Sequence, residues 1–295
     1  MLKPINKNLH KVTIEDIENH KIITDKELDA DIQNILKYPA DSNRNSFYGN
    51  PFLYHFQLKN LLKCRRDKGP TIYEIFGDDE GRDKLLSQTL KKNRGGRTAA
   101  GNVYECFRIN KGSIVMFKAT TAKYLYKKYN AKSVLDPTAG WGGRMLGAWA
   151  LGIDYIGMDL NTEMSPAYDK MINKLRDTKD TKMDMIFGDC LLQDFSKFNY
   201  DMVLTSPPYI NMEVYEHMPK WQSDEDYYLK FLIPLWDKCM TNMVSGHVCF
   251  NISPKMYEEA VKYGLPISHD EDLLKQQLGQ KQNKKKQDKI YIWKK

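Results

Sequence analysis

Asp136-Pro137-Thr138-Ala139-Gly140-Trp141-Gly142-Gly143 follows a short apolar run at residues 131–135 and precedes a run of helix formers at 145–150 that stops at Gly152. This order predicts a strand, a glycine turn and a helix. Glycine at 140 and 142 permits positive φ and close approach of the backbone to a ligand, and the helix start beyond offers free N–H groups. Asp136 at the strand end would repel a phosphate, and no Gly-Lys-Ser/Thr comes after it to neutralise one. A ligand bearing an ammonium group suits the turn better.

Further along the chain, the apolar run at 155–158 ends in Asp159, roughly 20 positions after Asp136, the spacing of the ribose-binding acid in nucleotide-binding α/β units. A third run, 185–187, ends in Gly188-Asp189-Cys190. Three strands in succession thus deliver Asp136, Asp159 and Asp189 to one edge, and open α/β sheets bind ligands outside the carboxyl ends of their strands. An extended ligand with an amine, a ribose and a base amino group would meet all three. The fourth run, 201–204, enters Thr205-Ser206-Pro207-Pro208-Tyr209. Paired prolines fix φ at about −65° and donate no N–H, which leaves the Ser206 and Pro207 carbonyls as acceptors turned toward a cleft. Tyr209 supplies a flat ring suited to stacking on a flipped-out base.

The two motifs, in this order, resemble those of the S-adenosylmethionine-dependent amino-methyltransferases of nucleic acids. The resemblance implies a Rossmann-like, doubly wound seven-stranded α/β sheet, and direct methyl transfer to a base nitrogen with no covalent enzyme intermediate. It implies that Asp136, Gly140 and Gly142, with Thr138 in the same turn, hold the methionine part of S-adenosylmethionine, Asp159 the ribose hydroxyls and Asp189 the adenine. Ser206, Pro207, Pro208 and Tyr209 match the catalytic motif. Met116-Phe117-Lys118-Ala119-Thr120-Thr121-Ala122 resembles a further cofactor-contacting motif, which adds Phe117 and Lys118. Serine before Pro-Pro-Tyr leans toward cytosine N4, whereas the order of the motifs is seen more among adenine-N6 enzymes. The resemblance covers residues 112–295 and implies DNA methylation of the restriction-modification kind, with RNA as the alternative polymer.

Plainer readings stand beside these. Asp159 or Asp189 alone can cap a helix, and Phe117 and Lys118 can be ordinary packing and surface residues. His217, in the loop 210–226 that comes after the catalytic motif and also holds Tyr215, Met218 and Trp221, reads as a solvated histidine. The five cysteines show no Cys-x-x-Cys spacing, and none follows a proline. This pattern argues against zinc, against a disulfide framework and against methylation of a ring carbon through a thiol.

Charge is unevenly placed. Net charge is −2 over residues 1–43, +7 over 44–112, −5 over 113–274 and +7 over 275–295. An acidic core between two basic regions suits a cationic cofactor inside and a polyanion at the flanks. Lys59-Asn60-Leu61-Leu62-Lys63-Cys64-Arg65-Arg66 reads as a helix with a basic face. Lys91-Lys92-Asn93-Arg94-Gly95-Gly96-Arg97 reads as a basic loop, which nominates Arg65, Arg66, Arg94 and Arg97 as phosphate contacts. The aromatics Phe47, Tyr48, Phe52, Tyr54, His55 and Phe56 read as a small core. The tail 281–286 reads as a solvated hairpin loop before a last strand at 290–293, and 246–252 as a fifth strand. Pro234 is expected to kink or break a helix at 227–243.

The sequence therefore predicts an α/β methyltransferase domain at 113–295 behind a basic, partly helical region at 1–112. The absence of a leader or membrane-length apolar run points to an intracellular, cytoplasmic setting. A protein glutamine methyltransferase would share the cofactor chemistry, but the basic flanks oppose it. A catalytically silent nucleic-acid-binding partner subunit is opposed by the intact motifs.

Overall fold

The computed structural model describes residues 8–42, 46–66, 69–92, 97–111, 114–209, 213–214, 219, 221–273 and 288–295. The chain forms two compact units, one of Met1–Thr24, Tyr54–Val115 and Asn211–Glu216, the other of Asp25–Leu53, Met116–Ile210 and His217–Lys295. A single cut after residue 112 does not describe this division, because residues 25–53 belong with the sheet. The polar reasons are specific. Buried Lys123, in helix Ala119–Lys128, donates to the carbonyls of Ile35, Leu36 and Tyr38 at 2.8, 2.9 and 2.7 Å. These carbonyls lie at the end of helix Asp25–Lys37, where backbone acceptors lack intrahelical donors. Buried Asp31 in turn accepts from the Gly49 and Phe52 N–H groups at 3.0 Å each, at the start of helix Asn50–Leu62.

The second unit is built on seven strands: β1 (Ser133–Asp136), β2 (Asp154–Asp159), β3 (Met183–Phe187), β4 (Met202–Thr205), β5 (His247–Ile252), β6 (Asp270–Leu273) and β7 (Lys289–Lys294). Their spatial order is β3-β2-β1-β4-β5-β7-β6. The first five are parallel, and β7 runs antiparallel to both of its neighbours. The order reverses at β1, which has β2 on one side and β4 on the other, and such a switch point opens a crevice at the carboxyl ends of the strands. Val134, Leu135, Val203, Leu204, Val248 and Phe250 are fully buried, as continuous apolar runs in a covered parallel sheet require. Against this layer pack Tyr227, Tyr228, Leu232, Leu235 and Trp293.

Three local expectations change. The segment 59–66 is not one helix: Lys63 and Cys64 close it with bonds to the Asn60 and Leu61 carbonyls, and Arg65–Arg66 then pairs antiparallel with Glu213–Val214. Pro234 neither ends nor breaks its helix. Asp224–Tyr227, a π turn at Tyr228–Leu232 and helix Ile233–Asn242 run on consecutively, and the wider turn lets the chain pass a residue without an N–H. Of the expected aromatic core, Phe52 is fully buried and Tyr54 packs in the N-terminal unit, but Phe47 and Tyr48 are exposed. The expected hairpin loop at 281–286 lies outside the described residues.

The first unit is helical, with a core that includes Leu9, Ile17, Leu58, Leu62, Ile72 and Val103. Capping boxes start two of its helices, Thr13 with Asp16 and Thr71 with Glu74.

Replacing Lys123 by Met should destabilise the sheet-bearing unit by roughly 2–4 kcal/mol, because three carbonyls lose one shared charged donor. Urea unfolding of the variant against the wild type measures it.

Candidate active site

Parallel strands bring Asp136, Asp159, Gly188-Asp189 and Thr205-Ser206 to one edge of the sheet. Asp136 has no exposed surface. Its Oδ2 accepts from Arg144 Nε at 2.6 Å and from the Tyr155 hydroxyl at 2.7 Å, and its Oδ1 accepts from the Thr205 hydroxyl at 2.9 Å. Burial and the Asp136 charge push the Tyr155 hydroxyl far up, so it stays a donor. Arg144, itself buried, also donates to the Thr138 carbonyl, and its guanidinium lies 5.2 Å from the Phe117 ring centre. The carboxylate expected to meet a ligand's ammonium is therefore taken up by three donors of the protein. Its place at the strand end is as expected, but its work is to hold the turn.

Asp159, at the end of β2, is half-buried. Its Oδ2 accepts from Gly140 N–H at 2.8 Å and its Oδ1 from Asn161 N–H at 2.9 Å. Burial raises its pKa to about 6, against the pull of those two N–H groups. The Tyr168 hydroxyl donates to the Gly140 carbonyl at 2.8 Å, which fixes the other side of the same residue. The glycines divide by role. Gly140, at φ +62°, has no neighbour among the described residues closer than 3.9 Å where a Cβ would stand, so this side of the turn is open to a ligand. Gly142, at φ +86°, would drive a Cβ into Met171, and Gly143 into the Phe117 carbonyl. Protein packing by itself is a reason for glycine at both positions. Thr138 turns inward, its hydroxyl 2.7 Å from that of Thr205. Asp189 accepts from Leu191 N–H at 2.8 Å and caps the short turn Cys190–Leu192, the plainer of its two expected roles.

Phe117 and Lys118 are both buried. Lys118 stands 4.4 Å from the Phe47 ring centre, and burial lowers its pKa to about 8. At the Ser206–Tyr209 turn, Ser206 Oγ accepts from Asn251 Nδ2 at 3.0 Å. The Tyr227 hydroxyl donates to the Pro208 carbonyl at 2.9 Å, so that carbonyl is held by the protein. Burial raises the Asp288 carboxyl, and the neighbouring Tyr209 side chain pulls it part of the way back down. Arg144, Tyr155, Tyr227, Asn251 and Asp288 were not singled out by sequence, and Thr205 stood in its motif without a role; of the five, only Arg144 directly adjoins a motif.

The nominated phosphate contacts are less uniform. Arg65 pairs with Glu74, and Arg97 lies 3.5 Å from Glu105. The side chain of Arg66, and Arg94 altogether, lie outside the described residues, as do Tyr215, His217 and Met218. Trp221 packs 5.6 Å from both Tyr227 and Phe231, on the core side of its loop.

Arg144→Met should cost roughly 3–5 kcal/mol, because Asp136 is left charged and buried without a cation. Combining it with Asp136→Leu should recover part of the loss, and thermal melts of the single and double variants measure both.

The chain matches no family model and no curated protein. Among solved structures it is similar to a proposed RNA methyltransferase of Pyrococcus horikoshii, at 19% identity over 60% of this chain and 82% of that one, with a TM-score of 0.38. It is also similar to an RNA methyltransferase of Salinibacter ruber in complex with S-adenosyl-L-homocysteine, at 12% identity over 61% and 93%, with a TM-score of 0.38. A SAM-dependent methyltransferase of Neisseria gonorrhoeae is similar at 11% identity over 60% and 68%, with a TM-score of 0.39. Likeness at such scores is too distant to assign a role to any residue, and the functional reading rests on the chain's own side chains.

Proposed function

We propose that this chain transfers a methyl group from S-adenosylmethionine to the exocyclic amino group of a DNA base, cytosine N4 ahead of adenine N6. One observation carries the reading: the open Gly140-Asp159 corner and the Ser206-Pro207-Pro208-Tyr209 turn leave neighbouring strand ends and are tied together through Thr138 and Thr205. Cofactor and acceptor would thus meet at one switch point of the sheet.

The residues present suit the cofactor in part. The open face of Gly140 admits a ligand, Asp159 offers a carboxylate for ribose hydroxyls, and Asp189 keeps a carboxylate oxygen beyond its cap for an adenine amine. Asp136 supports the methionine part through the turn it holds. When bound, S-adenosylmethionine supplies an electrophilic methyl whose bond to sulfur breaks with the electron pair kept on sulfur, while the acceptor nitrogen forms the new bond and gives one proton to water. Ser206 Oγ and the Pro207 carbonyl accept the amine's hydrogens and turn its lone pair out of the ring. Tyr209 presents its ring to the base. No cysteine is needed, and burial pushes the Cys190 thiol up to about 12. The polymer is held by the basic flanks, where Arg65, Arg66, Arg94 and Arg97 meet phosphates. Exposed ion pairs such as those of Arg65 and Arg97 are worth about 0–1 kcal/mol and exchange readily for a phosphate partner.

Ser206→Ala and Tyr209→Ala should each lower transfer at least about 100-fold while the cofactor Kd stays within about twofold. Equal loss of cofactor binding would count against the assignment of the turn. The pH dependence has a definite sign. Asp159 must be ionised to accept from ribose hydroxyls, and Asp136 and Arg144 nearby pull its pKa in opposite directions. Cofactor affinity should be full above pH 6 and fall as pH drops through about 6, and Asp159→Asn should remove the inflection. Titration calorimetry from about pH 5 to 8 tests this, and a flat wild-type profile would overturn the assignment of Asp159.

A further inference from the structure

Strand β5 places Asn251 one position beyond the register pair Thr205↔Phe250, which sets it beside Ser206. Asn251 is only 5% exposed. Its Nδ2 donates to Ser206 Oγ at 3.0 Å, and its Oδ1 is buried with no hydrogen-bond partner among the described residues. A buried amide oxygen left unpaired is costly, so an orphan of this kind in a native fold calls for an explanation. A hydrogen donor that arrives with the substrate provides one.

The hydroxyl of Ser206 has one hydrogen and two lone pairs. Its hydrogen faces the Asn251 carbonyl oxygen at 3.5 Å, and Asn251 Nδ2 takes one lone pair. One lone pair remains, and the unpaired Oδ1 belongs to the same Asn251 amide that bonds this hydroxyl. The Ser206–Asn251 pair thus carries two acceptor sites that the protein leaves without a hydrogen, with Asn251 fixed on a central strand. The Pro207 carbonyl comes directly after in sequence as a separate acceptor. An exocyclic amine brings two N–H groups and develops positive charge on nitrogen as it takes the methyl, so oxygen dipoles fixed in advance around it favour the transition state.

We infer that Asn251 is a catalytic residue: its Oδ1 and the Ser206 Oγ it orients share one N–H of the acceptor amine, and the Pro207 carbonyl takes the other. This rests on the proposed methyl transfer to a base amine and adds the group that completes the amine's cradle. Asn251 would also discriminate against an acceptor that presents an oxygen in place of the amine, since two lone pairs would then face each other in a buried site.

The test is single-turnover transfer to nucleic acid at saturating S-adenosylmethionine, normalised to the sites that bind the cofactor by titration, so that unfolded protein does not count. Asn251→Ala should lower the transfer rate about 100-fold with cofactor Kd within about twofold and nucleic-acid KM within about threefold. Asn251→Asp keeps an acceptor and should retain at least about tenfold more activity than Asn251→Ala. A rate for Asn251→Ala within about threefold of wild type overturns the inference, as does an Asp variant no better than Ala. A wild type that methylates only a ring atom would overturn the reading of the amine acceptor and this role with it, which is distinct from an active wild type with an indifferent Asn251.

Discussion

The Asp136 carboxylate, buried at the end of β1, organises the site around it. A charge without water must be paired and hydrogen-bonded. Asp136 meets that demand with donors from three places in the chain: Arg144 in the helix after the glycine turn, Tyr155 on β2 and Thr205 on β4. Satisfying one carboxylate thus fixes the glycine turn relative to the strand on either side. Thr205 is the last residue before Ser206, so the same interaction that shapes the glycine turn also sets the start of the Ser206–Tyr209 turn. Removing the ion pair would loosen both, and on the proposed function this links the stability of the core to the geometry of the reaction.

Much of the sheet was legible because its strands are covered on both faces. The runs at 131–135, 155–158, 185–187, 201–204, 246–252 and 290–293 all fall on observed strands, and the motif residues stand where open α/β sheets put ligands. Strand β6 was not read from residues because it is an edge strand built of Asp270, Glu271, Asp272 and Leu273. Its acids are neutralised across space, Asp272 by Lys128 at 2.6 Å and Glu271 by Lys289 at 2.7 Å. Charge at a sheet edge discourages pairing with another chain, and it also hides the strand from an apolar-run reading. The membership of 25–53 in the sheet-bearing unit was equally hidden, since it rests on contacts such as Lys123 with Ile35 that link distant parts of the chain.

The site was legible by position more than by role. Asp136, Asp159, Asp189 and Ser206 reach the shared edge, yet the hydrogen bonds their atoms make there are not written in the motifs. Asp136 is consumed internally because Arg144 reaches it across the turn, and a spacing between an acid and a base does not reveal that both are buried. Gly140 and Gly142 look equivalent in sequence, but a Cβ at Gly142 would strike the Met171 methyl, whereas one at Gly140 would meet nothing closer than 3.9 Å among the described residues. Asn251 and Tyr227 come from remote segments and reach the Ser206–Tyr209 turn only through the β4–β5 register and the helix at Asp224–Tyr227.

One edge of the sheet, on this reading, joins a cofactor corner to a turn built for a planar amine. The decisive experiment is mass spectrometry of nucleosides recovered from DNA and from RNA incubated with the protein and S-adenosylmethionine carrying an isotopically labelled methyl group. Label is expected on the exocyclic nitrogen of cytosine or adenine from DNA. Label confined to a ring atom, or absent from the nucleosides of both polymers, would contradict the joined site.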